Sequence, residues 1–231
     1  MTTIASRLQA VKARISAAAR AAGRADGEIT LVAVSKTFPP QAIAEAYAAG
    51  QSAYGENYAQ EGIEKITALA GLPLEWHYIG PIQSNKTKPI AENFDWIHGI
   101  DRAKIAERLS ASRPGNKSPL QVCIQVNVSG EASKSGVAPD AVFALAQTIM
   151  RLPRLRLRGL MAIPEPTHDI TLQRSRFRML REIREDLLRR SVALDTLSMG
   201  MSDDFEVAIA EGATLLRVGR AIFGERGSGD G

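Results

Sequence analysis

Leu31-Val32-Ala33-Val34-Ser35-Lys36-Thr37-Phe38-Pro39-Pro40 is the stretch on which the reading of this chain turns. Four apolar residues in a row, ended by a Pro-Pro pair, describe a strand buried on both faces. A lysine stands where the apolar run gives way to a loop. Lysine is costly inside a core, so its place at a strand end calls for a reason. One reason is packing: the stem lies on apolar surface while the ammonium reaches water. The other is chemical: a partly desolvated lysine has a lowered pKa and a nucleophilic amine, suited to a Schiff base.

Working outward, the same kind of strand recurs. Before it, Ile4, Leu8, Val11 and Ile15 fall three or four apart in an alanine-rich segment, predicting a helix over 2–22 stopped by Gly23. With Lys36 at its end, the first strand covers 29–36. After it the pattern predicts strands at 52–56, 75–79, 94–98, 120–128, 157–163, 194–199 and 214–218. Helices are predicted between them at 41–49, 58–69, 85–92, 102–111, 139–150, 170–190 and 203–210, with a short segment at 221–223. Pro89 falls inside the helix at 85–92. Eight strands alternating with helices mean βαβ units and a parallel sheet, and this is the count of a (β/α)8 TIM barrel. A doubly wound open sheet is the competitor, but there is no G-x-G-x-x-G and no G-x-x-x-x-G-K-[ST]. The expected division is an N-terminal helix over 1–28 packed on a barrel at 29–224, followed by a flexible Gly/Ser/Asp tail at 225–231.

Composition narrows the class. The 231 residues are 45% hydrophobic and 23% charged, as in ordinary globular proteins. No apolar run matches a membrane span, and Arg7, Lys12 and Arg14 interrupt any leader-like stretch. One cysteine, Cys123, lies in an apolar run, so a buried thiol in a reducing cytoplasm is expected. Zinc is not expected with one cysteine and the scattered His77, His98 and His168. The net charge of +4 is uneven: residues 151–190 hold eleven arginines against five acids. A nucleic-acid surface would need aromatic residues among those arginines, and there are none; the segment reads as the solvated face of a helix whose stripe is Phe177, Leu180, Ile183 and Leu187. No nucleic-acid or membrane partner is expected.

In such barrels the chemistry lies at the carboxyl ends of the strands. Those positions are Lys36, Glu56-Asn57, His77 with Gly80, His98, Asn127 and Met161. The loop Ser198-Met199-Gly200-Met201-Ser202-Asp203-Asp204 follows strand seven, and Arg217-Val218-Gly219-Arg220 ends strand eight. Loops seven and eight are where barrels often bind phosphate. Ser202 also fits the N-cap of the helix it precedes. Asp203 and Asp204 are expected to point away from any phosphate. An amine, a phosphate cradle and an arginine at one mouth suit an aldehyde that bears a phosphate. Pyridoxal 5'-phosphate is one such molecule; the substrate of a Schiff-base sugar-phosphate aldolase is another.

Several motifs then match a known family. They are Leu31 to Thr37, Tyr54-Gly55-Glu56-Asn57-Tyr58, Trp76-His77-Tyr78-Ile79-Gly80-Pro81-Ile82-Gln83-Ser84-Asn85-Lys86, Arg158-Gly159-Leu160-Met161, Leu197 to Asp204, and Arg217 to Gly224. In order and spacing, over roughly residues 5–225, the chain resembles the pyridoxal phosphate homeostasis proteins, single-domain relatives of the alanine racemase barrel. The resemblance implies the type III fold of pyridoxal-phosphate proteins. It implies Lys36 as the imine lysine, Arg217 facing the pyridine nitrogen, Asn57 and Met201 along the ring, and Ser202, Gly219 and Arg220 near the phosphate. Arg220 departs from relatives that carry Thr or Ser there. His77 is read either as a satisfied structural histidine or as a functional one. Racemisation would need an acid/base group on each face of the substrate carbon. In racemase relatives the second group comes from a β-rich domain, and the seven residues after the barrel cannot form one. Tyr54, Tyr58 and His77 are the substitutes at hand. The expectation is a cofactor-binding protein acting in storage or delivery to apo pyridoxal-phosphate enzymes, and a monomer; a racemase-like enzyme is the alternative.

Overall fold

The computed structural model describes residues 3–130 and 135–225. The expected tail at 226–231 lies outside the described residues. Eight parallel strands close into a barrel in sequence order: β1 (Thr30–Val34), β2 (Ala53–Glu56), β3 (Glu75–Tyr78), β4 (Trp96–Ile100), β5 (Leu120–Gln125), β6 (Leu155–Met161), β7 (Thr196–Ser198) and β8 (Leu215–Val218). Closure is made by β1 against β8, with Thr30 opposite Leu215 and Ala33 opposite Val218. The helices are α1 (Ile4–Ala21), α2 (Pro40–Ala48), α3 (Ala59–Ala68), α4 (Thr87–Asn93), α5 (Ala103–Ser112), α6 (Val142–Met150), α7 (Ile170–Arg189), α8 (Phe205–Ala210) and α9 (Arg220–Phe223). None of them is long and apolar enough to cross a membrane.

The alternation of β1 explains its continuous apolar run. Val32 turns into the lumen against Ala53 and Leu215, while Ala33 turns outward into the large core beneath the helices. That outer core takes Ile43, Ile90, Ile97, Ile105, Leu109, Phe177 and Leu180, all fully buried. Each contributes about 1.5–3 kcal/mol by leaving water. Gly159 serves the seam between β6 and β7: a Cβ there would lie 1.8 Å from the Thr196 carbonyl oxygen. Only a residue without a side chain lets those two strands close.

Three strands start two residues from where the pattern predicts, among them β7, at Thr196 rather than 194. β4 begins at Trp96 rather than 94, because the Phe94 N–H still bonds the Ile90 carbonyl and ends α4. β6 begins at Leu155 rather than 157 and leaves the sheet after Met161. The arginines of α7 have specific work. Arg174, Arg178 and Arg181 converge on the buried Glu211 carboxylate at 3.5, 3.3 and 3.1 Å. Its apolar stripe is buried as predicted at Phe177, Leu180 and Leu187. Helix α1 packs through Leu8, Val11, Ile15 and Ala19, and Arg7 donates to the carbonyls of Ile222 (2.7 Å) and Phe223 (3.1 Å) at the end of α9.

Candidate functional site

Lys36 follows β1 directly, and the chain on both sides of it is pinned. The Ser35 N–H donates to the Gly55 carbonyl (3.0 Å), which keeps Ser35 in the ladder. Thr37 then takes φ +68°, a left-handed conformation that is costly for a β-branched residue. It is held there by its N–H, which donates to Glu61 Oε1 at 2.6 Å. Phe38 next stacks on Phe223 of α9, ring centres 5.1 Å apart.

The anchor of this bracket is a second lysine. Lys65 Nζ donates to the Ser35 carbonyl (2.7 Å), Glu56 Oε1 (2.8 Å) and Glu61 Oε1 (2.6 Å). The Ser35 hydroxyl donates to the same Glu56 oxygen at 2.7 Å. Burial raises the Glu56 pKa, opposed by the Lys65 and Ser35 hydrogen bonds. Sequence reasoning missed Lys65 and Glu61. The available signal was spacing: Lys65 lies three residues beyond Gly62 and six beyond Ala59, on the buried face of α3.

Lys36 borders a cavity of about 390 Å³ that the other expected residues also reach: Asn57, Met201, Ser202, Arg217, Gly219 and Arg220, with Val34, Ile79, Ile163 and Asp203. A second lobe of about 410 Å³ shares Val34, Lys36, Gly219 and Arg220, and extends to Phe38, Gly224 and Glu225. All seven residues that the resemblance implied therefore line one space, although they come from the ends of β1, β2, β7 and β8. Arg217 is buried, and it donates to Ser198 Oγ (2.5 Å) and the Ala162 carbonyl (2.8 Å). Burial lowers its pKa to about 10, so it remains a cation at neutral pH. No carboxylate is hydrogen-bonded to it among the described residues.

Two features bear on what the cavity accepts. Asn57 borders the cavity, and its Oδ1 is buried without a hydrogen-bond partner. Asn57 is also pressed by the next strand's loop: a Cβ on Gly80 would lie 2.2 Å from the Asn57 carbonyl oxygen. That close approach gives the Gly80-Pro81 step of the long third motif a role the sequence did not reveal. A molecule with an electrophilic carbon for Lys36 and an anionic end at Ser202, Gly219 and Arg220 fits this set of residues.

Other expectations are corrected. Ser202 is not the N-cap of α8; the helix starts at Phe205, and Ser202 Oγ instead accepts from the Ala221 N–H at 3.4 Å. Asp204 turns back, accepting from the Met201 N–H at 2.6 Å. Asp203, expected to point away, borders the cavity and pairs with Arg220. The pair neutralises part of the positive edge. Glu56, His77, His98, Asn127 and Met161, read as ringing the mouth, do not line the cavity. Glu56 faces α3, and both histidines lie fully buried in the lumen.

Comparison with known proteins agrees with this geometry. Residues 6–227 match the family described as alanine racemase, N-terminal domain. The pyridoxal phosphate homeostasis protein of Pseudomonas aeruginosa is 59% identical over 229 residues, covering 99% of this chain and 98% of the relative. PipY of Synechococcus elongatus, solved with PLP bound, superposes with a TM-score of 0.85 at 36% identity, covering 96% of this chain and 100% of that one. Alanine racemase of Corynebacterium glutamicum shares the fold at a TM-score of 0.69 and 16% identity, and the match spans 63% of that enzyme.

Proposed function

The chain belongs to the pyridoxal phosphate homeostasis proteins, and from this we propose that it binds pyridoxal 5'-phosphate through a Schiff base on Lys36 and acts in storage or delivery of that cofactor without robust turnover. The observation that carries the reading is the single cavity where Lys36, Asn57 and Arg217 meet the Ser202, Gly219 and Arg220 edge. Bound there, the cofactor supplies a reactive aldehyde carbon and an electron-accepting ring.

The protein's own groups then divide the work. Lys36, at the cavity, offers the amine, while Lys65 is buried away from it among three acceptors. Arg217 only donates and carries positive charge, so it disfavours a proton on a ring nitrogen beside it. That weakens the electron sink on which turnover depends. Met201 would lie along the ring, and Ser202, Gly219 and Arg220 would hold the phosphate.

The candidates for a second acid/base group are absent from the cavity. Tyr54 is buried with its hydroxyl 2.9 Å from the Gln51 carbonyl, Tyr58 is 59% exposed, and His77 lies in the lumen. This favours a carrier over a racemase-like enzyme. The same reading places the chain in the cytoplasm as a monomer that hands cofactor to apo pyridoxal-phosphate enzymes.

Reduction of the loaded protein with borohydride, followed by peptide mapping, tests the attachment. The label is expected on Lys36; a label on another lysine refutes the assignment. Incubating loaded protein with each amino acid in deuterated water, and in parallel with an apo transaminase, tests the function. Activation of the transaminase without α-deuterium exchange is the expected result. Exchange at enzyme-like rates, abolished by Lys36→Ala, would replace the carrier reading with an enzyme.

A further inference from the structure

A chain of hydrogen bonds crosses the barrel lumen behind the cavity. Arg217 Nη1 donates to Ser198 Oγ at 2.5 Å, and Ser198 Oγ lies 2.8 Å from His98 Nδ1. His98 Nε2 lies 2.9 Å from His77 Nδ1, and His77 Nε2 lies 2.8 Å from Glu75 Oε1. The route runs from β8 and β7 on one side of the barrel to β4 and β3 on the other. It starts at the cavity and ends at the first residue of β3, at the opposite mouth. Both imidazoles are fully buried, and His77 stacks on Trp96 at 5.4 Å. The Glu75 side chain is 48% exposed.

The two ends fix the direction of every link. A guanidinium can only donate, and a carboxylate can only accept. The His77 hydrogen bond holds the Glu75 carboxyl below its usual range, so it is ionised. Ser198 Oγ receives the Arg217 hydrogen, and His98 is the only other partner it has among the described residues. Its own hydrogen therefore goes to His98 Nδ1. His98 then carries its proton on Nε2 and donates to His77, and His77 donates from Nε2 to Glu75. The reverse polarity would strand the serine hydrogen and require a fully buried His77 protonated on both nitrogens. Burial also pushes His98 well below the ordinary imidazole range, in keeping with a neutral ring.

We propose that Glu75, His77 and His98 are positioning residues for Arg217: the one-way relay fixes the direction of its guanidinium and ties it to a carboxylate at the far mouth of the barrel. The link to cofactor rests on the reading above, in which Arg217 faces the bound ring. The relay moves no proton in the ground state, because the Arg217 guanidinium is a far weaker acid than the carboxylic acid that would form at Glu75. It acts by aligning four dipoles toward Glu75 and leaving Arg217 one orientation.

The test uses nitrogen NMR of the histidine rings and absorbance of the loaded protein, in wild type and Glu75→Gln. This substitution keeps the shape of a half-exposed side chain. In the wild type at neutral pH, with or without cofactor, His77 and His98 are expected as neutral rings protonated on Nε2. A cationic ring, or a proton on either Nδ1, overturns the proposal. Glu75→Gln is expected to mix the tautomers, shift the absorption band of bound pyridoxal phosphate and weaken its affinity by about two- to tenfold, with the urea midpoint unchanged. Unaltered tautomers, band and affinity overturn it. If wild type takes up no cofactor, the functional reading fails, and the ring tautomers still decide the relay.

Discussion

Lys36 and Lys65 lie beside the same strand end and do opposite things. Lys36 lies just past Ser35 after the end of β1, is half-buried and borders a cavity. Lys65 sits on the buried face of α3, is 4% exposed, and gives its hydrogens to two carboxylates and a carbonyl. Burial alone would single out Lys65, which does not border the cavity. What distinguishes them is their surroundings: Lys65 is enclosed among its three acceptors, whereas Lys36 borders open space with room for a ligand carbon. The second lysine sets the first, because its acceptors include the backbone just before Lys36 and the carboxylate that holds the backbone just after it.

The largest effect should come from Lys36→Ala. Covalent uptake of pyridoxal phosphate, followed by absorbance and borohydride trapping, is expected to vanish, while urea denaturation changes by less than about 1 kcal/mol. A large loss of stability would erase the contrast between the lysines.

Next comes Lys65→Met. It leaves the Glu56 carboxylate buried without its cation, at a cost of about 3–5 kcal/mol, measured by urea denaturation at pH 7. Adding Glu56→Gln should restore part of it. The sign of the pH dependence follows from Glu56. Its folded pKa is raised, so its stabilising contribution is full below the unfolded value of 4.5 and is lost as pH rises through the folded value. Without Lys65 the folded value rises further, so the variant's deficit should be smaller near pH 5 than at pH 8.

Glu56→Gln alone should cost only about 1 kcal/mol at pH 7, because the amide still accepts from Ser35 and Lys65 keeps Glu61. Comparing the two single variants by denaturation separates losing a charge from stranding one; equal costs would show that Lys65 acts through packing.

The smallest effect belongs to Thr37→Gly. Relief of the left-handed backbone, offset by glycine's added freedom when unfolded, should raise stability by less than about 1 kcal/mol. Thermal unfolding checks the sign, and destabilisation would mean that the Thr37 side chain contributes to the bracket.

The barrel was legible because glycine and proline punctuate it and every strand carries a short, largely buried apolar run. Phe94 misled the boundary of β4, since an apolar residue that packs under the helices looks the same in sequence whether it ends a helix or begins a strand. The seven cavity residues were legible because each sits at or just past a strand end, where topology alone brings distant segments together. Lys65 was not, since only its spacing from Ala59 and Gly62 hints that a charged residue faces inward. His77 and His98 were noticed but placed at the rim. Depth along a strand depends on register and tilt, which no local pattern encodes, and the partners Ser198 and Arg217 lie on strands about a hundred residues away.

Arg7 gives α1 a stake in the cavity it never touches. Its guanidinium closes off the carbonyl end of α9, whose other end carries Gly219 and Arg220. An anion that steadies α9 therefore also steadies the first helix, and local opening of α1 must loosen the anion's seat. Amide hydrogens of α1 should exchange more slowly once the cavity is filled, a protection felt far from the ligand and carried by Arg7 and the packing of α1 on α9.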